Sequence, residues 1–283
     1  MDDTQEMPVE VPEAEVVAVT HSVPEQLGSD WRWKLVLGLA VAAVIGGLGA
    51  EVGSGFGFWH WMTGVLGYEL SIIPAILAVI SGYALGRKGG STEPLRSRAL
   101  RWLGMLIGVL WIGSLSHAAY LYYTSPAIHD ISTDLADPPQ FKALPLRADN
   151  LDQVPGADLK AMSGLNPQQR WVLIHQQSYG DIRSVRINES AASVMAKAAR
   201  LAEARGWEIV LNVPAEGRLE ATAATKLMRF KDDIVLRVRP TETGDGSIVD
   251  MRSVARVGVS DLGYNAKLVR SFLADLSGTV TAG

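Results

Sequence analysis

Cysteine is absent from the 283 residues, which removes disulfides, thiolate metal sites and a cysteine nucleophile without deciding between reducing and oxidising compartments. Lys and Arg are missing from residues 1–30, which hold eight acids. The same gap argues against a cleaved secretory leader, because such a leader needs a basic start followed closely by an apolar core, and the first long apolar run begins only at Leu35. No phosphate-binding loop, nucleophile elbow or histidine pair at metal-ligand spacing occurs. Nor is there a basic excess: the net charge is -4, and from His129 onward nineteen basic residues balance nineteen acidic ones, so nucleic acid is not an expected partner.

What is present begins with a tail. Residues 1–30 combine those acids with three prolines and no sustained apolar period, a disordered composition. Three apolar stretches follow, Leu35–Ala50, Leu70–Gly86 and one that begins at Trp102 and meets no formal charge until Asp130. Each is suited to a membrane helix, which needs about 20 mostly apolar residues. Pro74 falls in the first turns of the second stretch, where a missing N–H does least harm.

Orientation follows from Lys and Arg, which are retained on the cytoplasmic side. Arg32 and Lys34 precede the first stretch, Arg87, Lys88, Arg96, Arg98 and Arg101 separate the second from the third, and the segment from Glu51 to Glu69 has none. The expectation is an N-terminus in the cytoplasm of a bacterial inner membrane and everything after Tyr123 outside it. Aromatic residues agree, with Trp31, Trp33 and Trp102 at the inner ends and Phe58, Trp59, Trp61, Tyr120, Tyr122 and Tyr123 at the outer ones. Gly46, Gly49, Gly53 and Gly57 offer a face for close helix contact, and Glu51 and His117 fall near the outer ends of their spans. The domain plan is thus a tail (1–30), a three-span region (31–124) and an outer domain (125–283).

The outer domain opens with an irregular arm, His129 to Asn166, rich in proline and aspartate. His129, Asp130, Asp134 and Asp137 could offer metal ligands, but no second histidine cluster completes a set and aspartate is an ordinary turn residue; neither metal nor cofactor is expected. After an unassigned stretch from Pro167 to Tyr179, the sequence SAASVMAKAARLAEARG predicts a helix capped by Ser190 and ended by Gly206. WEIVLNV, RLEATAATKLMRF, IVLRVRP and SIVDMRSVARVG alternate as four strands, with tight turns expected at Asp232–Asp233 and near Gly244–Asp245. A last helix, with Asp261 as its N-cap, places Asn265, Leu268, Val269, Phe272, Leu273 and Leu276 on one stripe. Two helices with one apolar stripe each predict a two-layer α+β domain, its antiparallel sheet covered on one face.

Strict alternation puts Glu220, Thr222, Lys226, Arg237, Arg239, Asp250, Arg252 and Arg256 on the other face. Two readings stand. One is a solvated face with cross-strand pairs such as Arg239 with Asp250. The other is an anion site, because the expected turns set Arg237 beside Arg252, and like charges in register are disfavoured unless an anion sits between them. The candidate ligand-binding residues are therefore Arg237, Arg239, Arg252 and Arg256, with Ser260, Asp261 and Asn265 at the elbow into the last helix; no catalytic residue is singled out.

The segments LEATAATKLMRFKDDIVLRV and VDMRSVARVGVSDLGYNAKLVRSFL carry a resemblance. Glu220 and Ala221, Asp232 and Asp233, Arg252 and Ser253, then Gly258, Ser260, Asp261, Gly263, Asn265 and Ala266 resemble the pattern of the domain of unknown function family 1499, and HDISTD and DPPQF resemble its start. The likeness spans about His129 to Leu276, leaves the three helices outside, and implies no settled activity. A cysteine-bearing opening segment of some relatives is lacking here. Three functions remain open: a membrane-anchored binding or assembly domain that holds an anionic lipid, a glycan or a partner protein through its helices or sheet face; an envelope hydrolase or transferase using Ser260, Asp261 and His129 or His175; and a structural subunit of a membrane complex.

Overall fold

Long apolar runs satisfy their backbone groups internally by forming helices, and here the helices outrun the apolar stretches. The computed structural model describes residues 31–89 and 93–278; the tail reading for residues 1–30 lies outside them. Helix α1 spans Trp31–Gly55, α2 Trp61–Leu70, α3 Ile72–Gly89 and α4 Leu95–Thr124. Three units, Trp31–Gly55, Trp61–Lys88 and Leu95–Thr124, are long and apolar enough to cross a membrane. The segment from Glu51 to Glu69, read from sequence as a loop, is mostly helical. Ser71 keeps a right-handed helical backbone and donates its N–H to Gly67 and Tyr68, so α2 runs on into α3, and Pro74 does sit in the first turn of α3.

The expected glycine face makes contact only in part. A Cβ at Gly46, Gly49 or Gly57 would meet open space, one at Gly53 would overlap the Trp59 ring, and one at Gly47, outside the expected set, would stand 2.5 Å from the Trp111 ring. At Gly104 a Cβ would come within 2.9 Å of the Leu37 backbone, so α4 and α1 meet there closely. Small residues permit that approach where lipid supplies no hydrophobic drive.

After α4 the chain builds β1 (Asp130–Ser132), α5 (Pro167–Tyr179), β2 (Val185–Ile187), α6 (Ala191–Ala204), β3 (Glu208–Val213), β4 (Arg218–Ala224), β5 (Lys231–Pro240), β6 (Ser247–Ala255) and α7 (Tyr264–Ser277). The six strands form one antiparallel sheet in the order β1-β6-β5-β4-β3, and β2 pairs with the other half of β6. The α+β reading holds, with β1 and β2 as additions too short to show a period. One sheet face, through Leu219, Ile234, Leu236 and Met251, packs on Val194, Met195 and Ala198 of α6 and Val269 and Phe272 of α7. Ser190 caps α6 as expected, its side chain accepting from the Ser193 N–H.

The unassigned stretch is α5, opened by a capping box in which Asn166 and Gln169 exchange side-chain and backbone bonds. It covers the outer edge of β1: Trp171 donates to the Asp130 carbonyl at 2.8 Å, and His175 Nε2 accepts from the Ser132 N–H at 3.3 Å. An otherwise bare strand edge is thereby blocked from pairing with another chain.

Two local expectations are corrected. Asp232 and Asp233 do not form a turn; they lie inside β5, and the turn is Thr225–Phe230, closed by the Thr225 N–H on the Phe230 carbonyl at 2.9 Å. The turn preference of paired aspartates yields to strand pairing, with Asp233 opposite Thr222. The N-cap of α7 is Gly263, in the left-handed region at φ 79°, and Asp261 reaches forward to accept from the Gly263 and Asn265 N–H groups.

Topology fixes which end of the sheet faces the helices. The start of β1, the β4–β5 turn and the end of β6 share one end, from which the chain leads back to α4. At that end Phe230 meets the Trp61 ring edge-on at 6.1 Å between centroids, and the Leu227 carbonyl lies against Gly55.

Candidate functional site

The polar face of the sheet keeps the alternation read from sequence, because each turn displacement moves the pairing partners by an even number of residues. Glu220 lies opposite Val235, Arg237 opposite Asp250, and Arg252 opposite Val235. Arg237 and Arg252 are therefore not side by side, and the like-charge clash that suggested an intervening anion does not arise. Lys226 leaves the set, since β4 ends at Ala224 and Lys226 belongs to the turn.

Nor is this face open. The arm from Asp134 to Asn150 folds across it and supplies counter-charges. Arg237 donates to Asp250 at 3.1 Å, Asp137 at 2.7 Å and Asp134 at 3.0 Å. Arg239 donates to Asp250 at 2.7 Å, the pair expected from sequence but along a diagonal. Arg252 is 5% exposed and bonded through Nε and Nη2 to Asp130, itself 1% exposed, at 2.9 and 2.7 Å. Nη1 of Arg252 reaches the Pro139 carbonyl, and Asn150 holds the second side of Asp130. Glu220 is fully buried and accepts three backbone N–H groups, from Lys142, Ala143 and Leu144. Removing one partner of such a buried pair costs about 3–5 kcal/mol, because the other charge is left without water. Asp130, Asp134 and Asp137, considered above as metal ligands, thus serve as the arginines' partners. The signal that could have found them is the acid spacing in DISTDLAD set against the basic spacing of RVR and MRSVAR.

The face stays accessible at its two ends, at Arg239, whose side chain is 48% exposed, and at the helix-proximal end. A groove of about 490 Å³ lies between the arm and the last residues of β6, lined by Phe141, Pro145, Leu146, Arg147, Ala148, Asp233, Val254, Ala255 and Arg256. Arg256 forms a two-point pair with Asp233 through Nε and Nη2, both at 2.8 Å, and Nη2 also reaches Thr222. Its side chain is 39% exposed, and Nη1 has no protein partner among the described residues. Arg147 binds the Gly258 and Ala255 carbonyls through Nη1 and holds Asp149 at 2.7 Å through Nε and Nη2. That guanidinium holds the Asp149 carboxyl well below its usual range, at about 2.

The elbow residues converge on the opposite side of the sheet's end. Ser253 Oγ donates to Asn265 Oδ1 at 2.7 Å, and Asn265 Nδ2 donates to the His129 carbonyl at 3.1 Å. His129 Nδ1 lies 3.1 Å from the Val259 carbonyl, and Ser260 Oγ donates to the Pro126 carbonyl at 2.9 Å. The elbow therefore grips residues 126–129, the chain that has just left α4. Beneath it Asp232 and Asp261 are pushed upward chiefly by burial, Asp232 to about 7 with the Asp261 charge as second cause. Asp232 Oδ2 and His129 Nε2 are buried without hydrogen-bond partners among the described residues.

This geometry does not assemble a hydrolytic triad from the residues considered for one. Ser260 is engaged by Pro126 and the Leu262 N–H, Asp261 caps α7, and His175 accepts from Ser132. The motif residues Ser253, Asp261 and Asn265 hold a junction together. Of the seven candidate ligand residues, Arg256 alone reaches the groove.

The model of a family described as "Protein of unknown function (DUF1499)" matches residues 130–276, and the chain belongs to that family. The three apolar helices precede the matched segment. Comparison with curated proteins found no match.

Proposed function

We propose that this chain is a membrane-anchored binding domain outside the cytoplasm, and that its groove takes an anionic lipid headgroup from the outer surface of its own bilayer. The observation that carries the reading is the position of Arg256: a guanidinium with one free edge, in a groove at the sheet end that leads directly to the spanning helices. Guanidinium donors match phosphate oxygens in charge and geometry, and remain charged at any physiological pH. Supporting the outer side are the five basic residues between Arg87 and Arg101 and the absence of any from Glu51 to Glu69. The remaining arginines belong to the scaffold that seats the arm, which accounts for their repeat without a ligand.

The test uses the full chain in detergent. A ligand that binds only the folded state raises the unfolding temperature, so added anionic phospholipid should raise it more than zwitterionic phospholipid or inorganic phosphate. Ala148 is exposed at the groove wall, and Ala148→Glu should abolish that difference while leaving the lipid-free melting curve in place. Equal shifts with both lipids, or an Ala148→Glu variant that responds like the parent, would dispose of the headgroup reading; a shift with phosphate alone would replace lipid by a soluble anion.

A further inference from the structure

The β4–β5 turn carries Lys226, Leu227, Met228, Arg229 and Phe230, with Lys231 opening β5. In a water-facing turn three apolar side chains between three cations have no evident use, because turns ordinarily collect glycine, asparagine, aspartate and proline. Leu227 is 47% exposed, and among the described residues none of the three cations forms an ion pair with an acid. The turn does not project at random. Its backbone at Leu227 packs against Gly55 at the end of α1, and Phe230 lies edge-on to Trp61 at the start of α2. Between those two contacts in the chain come Phe56, Phe58 and Trp59, all exposed, so the apolar residues of the turn adjoin the segment that carries the aromatic residues at one end of the spans.

We infer that the β4–β5 turn is a wedge that inserts Leu227 and its neighbours into the interfacial region of the bilayer crossed by α1–α4, while Lys226, Arg229 and Lys231 face its phosphates. The arrangement matches what a shallow interfacial anchor requires: apolar side chains at headgroup depth and cations that stay at the charged surface. Cations at an anionic surface add electrostatic attraction to that burial, so the wedge reinforces the link through α4 and limits how far the domain can swing. The consequence is orientation: β5 leads from the wedge straight past Asp233, so the groove is held near the same surface. The inference rests on the helices crossing a bilayer, and it stands or falls independently of what the groove binds.

Because the chain has no cysteine, one label can be placed at will. Leu227→Cys, and separately Thr243→Cys in the β5–β6 turn at the opposite end of the sheet, are labelled with an environment-sensitive fluorophore in the full chain reconstituted into nanodiscs. Lipids bearing a nitroxide near the headgroup should quench the label at 227 several-fold more than the label at 243, and its emission should be shifted to the blue. Substituting Lys226, Arg229 and Lys231 by glutamine should reduce the quenching at 227 in anionic nanodiscs more than in zwitterionic ones. Neither labelled side chain is buried in the protein, so the fold is retained, and a common melting curve checks it. Equal quenching at 227 and 243 would overturn the wedge, as would quenching at 227 that the triple substitution leaves unchanged in both lipids. Loss of the lipid-dependent thermal shift in Ala148→Glu with quenching intact would confirm both sites as separate.

Discussion

Asp232 shows what a single residue contributes once its neighbours are known. Its carboxyl is buried beside Asp261 and stands at about 7 in the folded domain, above the ordinary carboxylate range, so folding favours its protonated form. The stability it confers is therefore complete below about pH 4 and is lost as pH rises toward 7. His175 acts oppositely: burial lowers it to about 4, so its contribution is present above about pH 6.5 and is lost as pH falls. Asp232→Asn keeps the shape and removes the charge. Denaturant titrations between pH 4 and 7 should show the variant losing less stability than the parent as pH rises; parallel curves would mean that the carboxyl titrates normally. None of this was visible in KDDI, where two adjacent aspartates read as a turn. The period of the strand was visible, and so was the identity of the polar face, because alternation survives an even displacement of register. The pair of Arg239 with Asp250 was visible too, but the arm's counter-charges were not, since Asp130 and Asp134, which pair with Arg252 and Arg237, stand more than a hundred residues earlier.

At the scale of elements, the arm from Asp134 to Asn150 is the feature that sequence reading placed least well. It has no period, and its order comes from the sheet beneath it. Glu220 binds three consecutive backbone N–H groups of the arm, at 2.6, 2.9 and 2.9 Å, an arrangement that only a carboxylate with two acceptor oxygens and full negative charge satisfies well. A glutamine there can accept through one oxygen and sets an NH2 group against the remaining N–H donors. Glu220→Gln should therefore loosen residues 142–144 and destabilise the domain by about 1–3 kcal/mol, the cost of leaving buried donors unsatisfied. Hydrogen exchange read by mass spectrometry should show faster exchange in the arm and little change in α6, which is remote from it. Uniform protection across the arm would mean that Pro138, Pro139 and Phe141 hold it without Glu220. Helix α6 was the easier element, since Ser190 and Gly206 mark its ends by known backbone chemistry, whereas α5 went unassigned although Asn166 caps it. β1 and β2 are three residues each, too short for any period to register, yet β1 brings Asp130 to Arg252.

That last point decides where the molecule divides. The core of the C-terminal domain runs from Ile128 to Leu276 and draws no residue from the spans, which argues that residues 125–283 fold without the helices. The boundary is sharper than the core suggests. Ser260 binds the Pro126 carbonyl, Asn265 and the Ala255 N–H both bind the His129 carbonyl, and Asp130 is the counter-ion of a buried arginine. A fragment starting at residue 125 keeps all of these. One starting at Thr133 removes only eight more residues, with no period of their own, but it deletes β1 and leaves Arg252 without its carboxylate partner. The loss of that pair alone is about 3–5 kcal/mol, set against a whole-domain stability of about 5–15 kcal/mol. Expressed without the helices, the fragment 125–283 should unfold in one cooperative transition, whereas 133–283 should melt far lower or without cooperativity. Restoring the short strand by adding a peptide of residues 125–133 in excess should recover part of the loss, because β1 pairs with β6 through backbone bonds that a free strand can make. If both fragments unfold alike, β1 and the Asp130–Arg252 pair are not what holds the domain together.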